Sequence, residues 1–297
     1  MPFLKNMKSN SEERVRPLPC RNNPDGEGCT AAKMKITTDL HIHTNLSSCA
    51  SREATLDAYI ERALPLHLKT LGFSNHLWDS AVPGASNWYA PQNVEHVLKL
   101  KEELNGRHEI NGIRILFGCE AEFTYEGKLC LAEENFHHFE YILVPHSHTH
   151  MKCVMPQEYA ADHARHAKFL MDSFLAVVNH PLSAHFTSIA HPFVPGTRYS
   201  IYNEVQSFIP DSYFYEAFSA AKEKGIAIEV NGSCIVYQPE EQIPRCEYVR
   251  IYTIAKKCGC TFTYGSDSHD YRDDRKLRLV ENFLDICGIT EDDFLKI

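Results

Sequence analysis

Seven short runs of strand-forming residues recur along this chain, and helical patterns separate them. The predicted strands cover 35–41, 70–75, 113–120, 141–144, 188–191, 227–231 and 261–264, with the clearest predicted helices over 92–104, 157–178, 213–224 and 246–257. In the last of these, Tyr248, Ile251, Tyr252 and Ala255 recur at the i, i+3, i+4, i+7 spacing of one apolar face. A strand followed by a helix, repeated along the chain, argues an α/β fold with a parallel sheet, closed or open. The length of 297 residues would allow two domains at about 150 residues each. With no internal repeat and no interior linker, one domain over 34–297 is the better reading. Residues 1–33 carry Asn, Pro, Ser, Arg and Gly with little periodicity, the composition of a disordered leader.

The strand ends carry the chemistry. The chain has 17 histidines, and histidine is the commonest metal ligand. Alternation along the first run puts Asp39, His41 and His43 on one face. His76 follows the second run, Glu120 ends the third, His146 and His148 follow the fourth, and His191 ends the fifth. Asn231 ends the sixth, and Asp267 and His269 follow the seventh. One histidine after a strand is ordinarily a solvated loop residue; six of seven strand ends offering a metal-type side chain is a pattern. In parallel barrels the active site is built at that end, from several strands at once. His137, His138, His163 and His166 read as surface residues, and His67, His96, His108, His180 and His185 have no evident partner.

Several classes are excluded. The sequence has no H-E-x-x-H, no G-x-S-x-G and no phosphate-binding G-x-x-x-x-G-K-[ST] loop. Cys258-Gly259-Cys260 lacks the second ligand pair of a structural zinc site. Asp and Glu number 39 against 30 Lys and Arg, a net charge of −9 with no basic stripe, which counts against long nucleic acid as a partner. No apolar run approaches the roughly 18–20 residues that span a bilayer, and the first residues lack a signal peptide's apolar core. Eleven scattered cysteines, an odd number, read as reduced thiols in a cytoplasmic protein.

Asp39-Leu40-His41-Ile42-His43-Thr44, Gly118-Cys119-Glu120, Ala190-His191-Pro192 and Gly265-Ser266-Asp267-Ser268-His269, in that order, resemble the motifs of the PHP family, named for polymerase and histidinol phosphatase. The likeness extends over about residues 34–280. It implies a distorted (βα)7 TIM-like barrel with two to three divalent metal ions, zinc, manganese or iron, at the C-terminal ends of the strands. It implies that His41, His43, Glu120 and Asp267 hold one ion and that Glu120 bridges to another held with His148 and His191. His76 and His269 would hold the third, with a ligand from the loop after the first strand. His148 is preferred to His146 because its spacing from the strand end is more like the family's. In that loop Cys49 stands where histidinol phosphatases commonly have histidine; it reads equally as a ligand favouring softer metals or as a plain loop thiol.

The reaction implied is hydrolysis of the phosphate monoester of a small soluble metabolite. A metal-bound hydroxide, held by Glu120 and Asp267, would be the nucleophile. Asp39 could orient a ligand imidazole, Arg198 and Arg272 read equally as phosphate contacts or as two surface arginines, and Asn231 would hydrogen-bond substrate at the barrel mouth or simply end its strand. The alternatives are a phosphodiesterase or exonuclease acting on nucleotides or short nucleic acid, and a non-catalytic metal-binding module. Trp78, Trp88, Tyr89, Tyr199 and Tyr202, in the loops 78–92 and 198–212, would line a pocket or cover the barrel ends.

Overall fold

A computed structural model describes residues 34–272 and 275–297; the predicted leader over 1–33 lies outside them. The strands are β1 (Thr38–Ile42), β2 (Thr70–Phe73), β3 (His76–Leu77), β4 (Glu109–Ile110), β5 (Ile113–Ala121), β6 (Tyr141–Pro145), β7 (Ser188–Ala190), β8 (Ala227–Asn231) and β9 (Phe262–Gly265). All seven predicted runs form strands. They pair in parallel in the order β1-β2-β5-β6-β7-β8-β9.

The last strand returns to the first. Ile42 bridges Ser268, and the Asp267 N–H donates to the His41 carbonyl at 2.7 Å. The Ser266 N–H donates to Asp39 Oδ1 at 2.9 Å. The result is a nearly closed seven-stranded barrel. Asp39 therefore does not orient an imidazole: its buried carboxylate fastens the seam. Alternation misplaces it because the β1–β2 register shifts between Asp39 and Ile42.

The outer layer consists of α1 (Leu56–Ala63), α2 (Val94–Leu104), α3 (His163–Val178), α4 (Tyr202–Ser207), α5 (Asp211–Glu223), α6 (Gly232–Val236), α7 (Glu247–Cys258) and α8 (Arg275–Cys287). Side chains of Thr55, Asn93 and Asp162 accept from backbone N–H groups at the starts of α1, α2 and α3, the usual remedy for the unpaired donors of a helix N-terminus. No described helix is long and apolar enough to cross a membrane. All described cysteines are free thiols.

The barrel interior is filled below the C-terminal strand ends. Leu40, Leu116, Tyr141, Leu143 and Ala190 form a separate buried cluster there. The Tyr141 ring crosses Gly118, where a Cβ would stand 2.4 Å from it, and reaches Gly72, where a Cβ would stand 2.5 Å from its hydroxyl. Tyr141 donates to the Leu40 carbonyl at 2.8 Å. Two glycines thus make room for one large side chain, and the floor it forms is rigid.

Candidate metal centre

Above that floor the strand ends converge. β1 runs into His41 and His43, β3 begins with His76, β5 carries Glu120, and the segments after β6, β7 and β9 deliver His148, His191, Asp267 and His269. β3 adds to the edge of β5 in a register that sets His76 directly opposite Glu120. The ligand atoms of His41, His43 and Asp267 lie within 4.8 Å of one another, as do those of His43, His76 and His269 and those of His76, Glu120 and His148. These sets share His43 and His76, so they form one continuous cluster.

Glu120 sits at its centre, with each oxygen facing a different side. Oε2 is 2.6 Å from His76 Nδ1 and 3.6 Å from Nε2 of both His41 and His43. Oε1 is 2.9 Å from His191 Nε2 and 3.6 Å from His148 Nε2. Asp267 Oδ1 lies 3.3 Å from His43 Nε2 and 3.6 Å from His269 Nδ1.

The outward nitrogens are held by partners of their own. His41 Nδ1 is 2.7 Å from Glu229 Oε1, and His148 Nδ1 is 2.7 Å from Glu122 Oε2. His43 Nδ1 is 3.0 Å from Ser47 Oγ, and His191 Nδ1 is 2.6 Å from Ser147 Oγ. Ser47 donates onward to Asn75 Oδ1 and Ser147 to the His191 carbonyl. Both hydroxyls are therefore left as acceptors, which puts the proton on Nδ1 of each ring and a lone pair on Nε2.

The donor set fits divalent cations. His76 Nδ1 and Glu120 Oε2 are buried, 2.6 Å apart and without a hydrogen bond, while His41 and His43 bring their Nε2 atoms within 3.0 Å. Buried polar atoms left in this way are costly unless an ion or water pairs them. Imidazole and carboxylate together suit zinc, manganese or iron. Burial opposes charge on His41, yet Glu229, Glu120 and Asp267 outweigh it and hold the imidazole well above its ordinary pKa. Burial likewise opposes charge on Glu120, but His41, His76 and His148 hold its carboxyl well below the usual range.

Backbone strain is concentrated here. His191 and Asp267 have φ of +28° and +51°, a conformation that costs a side-chain-bearing residue about 1–3 kcal/mol. Both are pinned: the His191 N–H donates to Glu229 Oε2 at 2.7 Å, and the Asp267 N–H to the His41 carbonyl.

Other expected residues are placed differently. His146 is fully buried, and its Nε2 accepts the Phe193 N–H at 2.9 Å between the Phe174 and Phe193 rings. It braces the turn after β7, while His148 joins the cluster. Cys49 lines the cavity over the cluster but joins none of the three ligand sets. Desolvation and the carboxylates of Asp267 and Glu120 push its thiol up to about 12, so ligation would need a cation to displace the proton. Asn231 is buried beneath the mouth: Nδ2 donates to Glu229 Oε2 at 3.0 Å, and Oδ1 accepts the Cys234 N–H at the start of α6. With its hydrogen bonds spent internally, Asn231 braces Glu229. Arg272 is exposed and paired with Asp270, and Arg198 is exposed in an adjoining cleft; neither lines the cavity over the cluster.

That cavity, about 420 Å³, is walled by Trp88, Tyr89, Tyr199, Tyr202 and Tyr237. Trp78 is buried outside it, against Tyr89 and Cys130. Glu122, Glu229, Ser47 and Ser147 were not singled out from the sequence. Glu229 had a signal, a carboxylate in the middle of the apolar strand Ala227-Ile228-Glu229-Val230. The two serines had none.

Residues 39–285 match the family described as the PHP domain. A protein of Clostridium novyi named "Probable phosphatase" is 29% identical over 80% of this chain and 80% of its own length. A second protein so named, from Clostridium acetobutylicum, is 26% identical over the same shares. Among solved structures, histidinol phosphate phosphatase of Lactococcus lactis, complexed with zinc, L-histidinol and phosphate, aligns with a TM-score of 0.58 at 17% identity, covering 85% of this chain and 94% of that one. At that identity the likeness speaks for the barrel. The match over 39–285, with the motif residues brought to one end of that barrel, identifies the chain as a member of the PHP domain family.

Proposed function

We propose that this chain is a metal-dependent phosphatase that hydrolyses the phosphate monoester of a small metabolite. The phosphatase class rests on its family and on the relatives named above. The observation that carries the metal dependence is the orphaned pair of His76 Nδ1 and Glu120 Oε2 at the centre of a ring of oriented imidazoles. His41, His43, Glu120 and Asp267 would hold one ion, Glu120 with His148 and His191 a second, and His76 with His269 a third, for which Cys49 is the remaining candidate ligand. Divalent ions held there would supply Lewis acidity towards phosphoryl oxygen and lower the pKa of a bound water towards neutral pH.

The chain's own part is positioning. Glu229, Glu122, Ser47 and Ser147 fix which imidazole nitrogen faces inwards. Glu120 and Asp267 offset part of the cation charge and leave the site net positive towards a phosphoryl group. Among the described residues no Lys or Arg lines the cavity over the cluster, and the cation centre supplies the attraction for the scissile phosphate. The cavity volume of about 420 Å³ suits a small ester.

The test is turnover of 4-nitrophenyl phosphate by protein whose metal content has been measured. Activity lost to a chelator and regained with zinc or manganese is expected, with bis(4-nitrophenyl) phosphate turned over more slowly. A fully metal-loaded protein inert towards monoesters, or faster on the diester, would overturn this reading.

A further inference from the structure

The cavity over the cluster has a neighbour. A second cleft, of about 540 Å³, opens beside it, and His150 and Thr197 line both. The divide between them is built from fixed parts. Gly196 has φ of +64°, and a Cβ there would stand 2.9 Å from Thr149 Oγ1 and 3.2 Å from the His150 nitrogen, so only glycine lets the two segments press together. Tyr202 donates to the Gly196 carbonyl at 2.6 Å, and His166 Nε2 is 2.9 Å from Thr149 Oγ1.

The two spaces differ in charge. Among the described residues no Lys or Arg lines the first, while Lys152 and Arg198 line the second. Both cations are exposed, and among the described residues neither has a carboxylate partner. Asp162, the one carboxylate among the described residues that line this cleft, is committed elsewhere: Oδ1 accepts the Arg165 N–H at 2.8 Å at the start of α3, and Oδ2 is 3.3 Å from Arg165 Nε. His163 is taken by Glu204 at 3.3 Å. Two uncommitted cations beside a phosphoryl site are placed to hold an anion that belongs to the same molecule.

We propose that the substrate carries a second anionic group, a phosphate or a carboxylate, which Lys152 and Arg198 hold in the adjoining cleft while its phosphate ester lies over the cluster. This rests on the phosphatase reading. Lys152 and Arg198 are specificity residues here; they touch the far end of the substrate and take no part in bond breaking. A guanidinium can grip two oxygens of the distal group and an ammonium serves as a point charge.

The probes are ethane- to hexane-α,ω-diol bisphosphates, the ω-carboxyalkyl phosphates, and the alkyl monophosphates of equal length. At one chain length the dianionic ester is expected to exceed the plain monophosphate in kcat/KM by about tenfold, the effect of two partly exposed charge contacts. Lys152→Met/Arg198→Met should bring that ratio close to unity, chiefly through KM, and leave 4-nitrophenyl phosphate turnover unchanged. Whether the bisphosphate or the carboxylate series gains more identifies the distal group. Lys152→Gln alone is the substitute if the double variant does not fold. The proposal is overturned if no chain length shows a preference, or if the preference survives in the variants. Calorimetric binding of hexane-1,6-diyl bisphosphonate against hexylphosphonate to the metal-loaded protein separates the two readings. Selective binding without turnover of any ester sinks the phosphatase reading alone; turnover of monoesters without selective binding sinks the cleft alone.

Discussion

Glu229→Gln is the substitution that most sharply tests how the centre is held. The Glu229 carboxylate is 1% exposed and accepts three hydrogen bonds, from His41 Nδ1 at 2.7 Å on one oxygen and from the His191 N–H at 2.7 Å and Asn231 Nδ2 at 3.0 Å on the other. Glutamine has the same shape but only one acceptor oxygen. If its amide nitrogen faces His191, a buried backbone N–H is left unpaired, at a cost of about 1–3 kcal/mol. If it faces His41, the imidazole must accept at Nδ1 and move its proton to Nε2, which removes the lone pair that a cation needs. The second arrangement spares the backbone donor, so the tautomer is expected to yield. Loss of such a supporting carboxylate weakens metal affinity by about 10–100-fold, or roughly 1.4–2.7 kcal/mol. The assay is metal retained after dialysis against a chelator buffer of known free-ion concentration, read beside thermal melting. A folded variant with wild-type metal affinity and turnover would refute the claim that Glu229 sets the His41 tautomer.

Four further outcomes are expected. Glu120→Gln should lower both metal content and activity with little change in far-ultraviolet circular dichroism, since the amide keeps the shape and loses the charge between the two sides of the cluster; unchanged stoichiometry would contradict that role. Cys49→Ser should lower bound metal by about one ion per chain and Cys49→His should restore it, because sulfur and imidazole both ligate zinc where a hydroxyl does so poorly; elemental analysis giving equal content in all three proteins makes Cys49 a bystander. In chelator-treated protein, burial opposes charge on His148 but Glu122 and then Glu120 outweigh it and raise its pKa from 6.5 to about 9. A raised folded-state value means that the charged ring adds stability in full below 6.5 and loses it as pH rises through about 9; Glu122→Gln should flatten that part of the Tm profile, and an unaltered slope would remove Glu122 from the account. Gly118→Ala puts a methyl group 2.4 Å from the Tyr141 ring, and such overpacking should destabilise the barrel by about 1–3 kcal/mol; a variant that melts like wild type would mean Tyr141 is free to move.

The barrel was legible because each strand is a short apolar run whose end is marked by a change to polar residues, and all seven were found on that pattern alone. What escaped depends on partners distant in sequence. β3 is two residues long and exists only because β5 extends far enough to pair with it. α1 was missed although Thr55 marks its start, since eight residues offer barely two turns of periodicity. The cluster was legible where a candidate side chain lies at or just past a strand's C-terminal end, as at His41, Glu120 and Asp267. It failed where a residue's use depends on hydrogen bonds from elsewhere: Asp39 was drawn to the seam by Ser266, and Asn231 was occupied by Glu229 and α6. Arg198 and Arg272 sit in segments whose course no local pattern dictates, and their side chains ended up away from the cavity.

The seam has a consequence for how the molecule is made. One of the bonds that fasten it, from Ser266 to Asp39, joins residues 227 apart, and the strained Asp267 brought beside His41 and His43 lies on its far side. A chain emerging from the ribosome can assemble β1, β2 and β5 early, because domains form from the N-terminal end as synthesis proceeds. His41, His43, His76 and Glu120 would then stand at the open edge of an incomplete sheet, with the Asp267 and His269 side of the centre missing until almost the whole chain has been released. Contacts of such long sequence separation form late and slowly. An ion gripped from both margins of the seam would thereafter hold the first strand to the last, closing a loop nearly as long as the fold itself. Cation loss should therefore loosen the whole barrel at its one discontinuity, starting between β1 and β9.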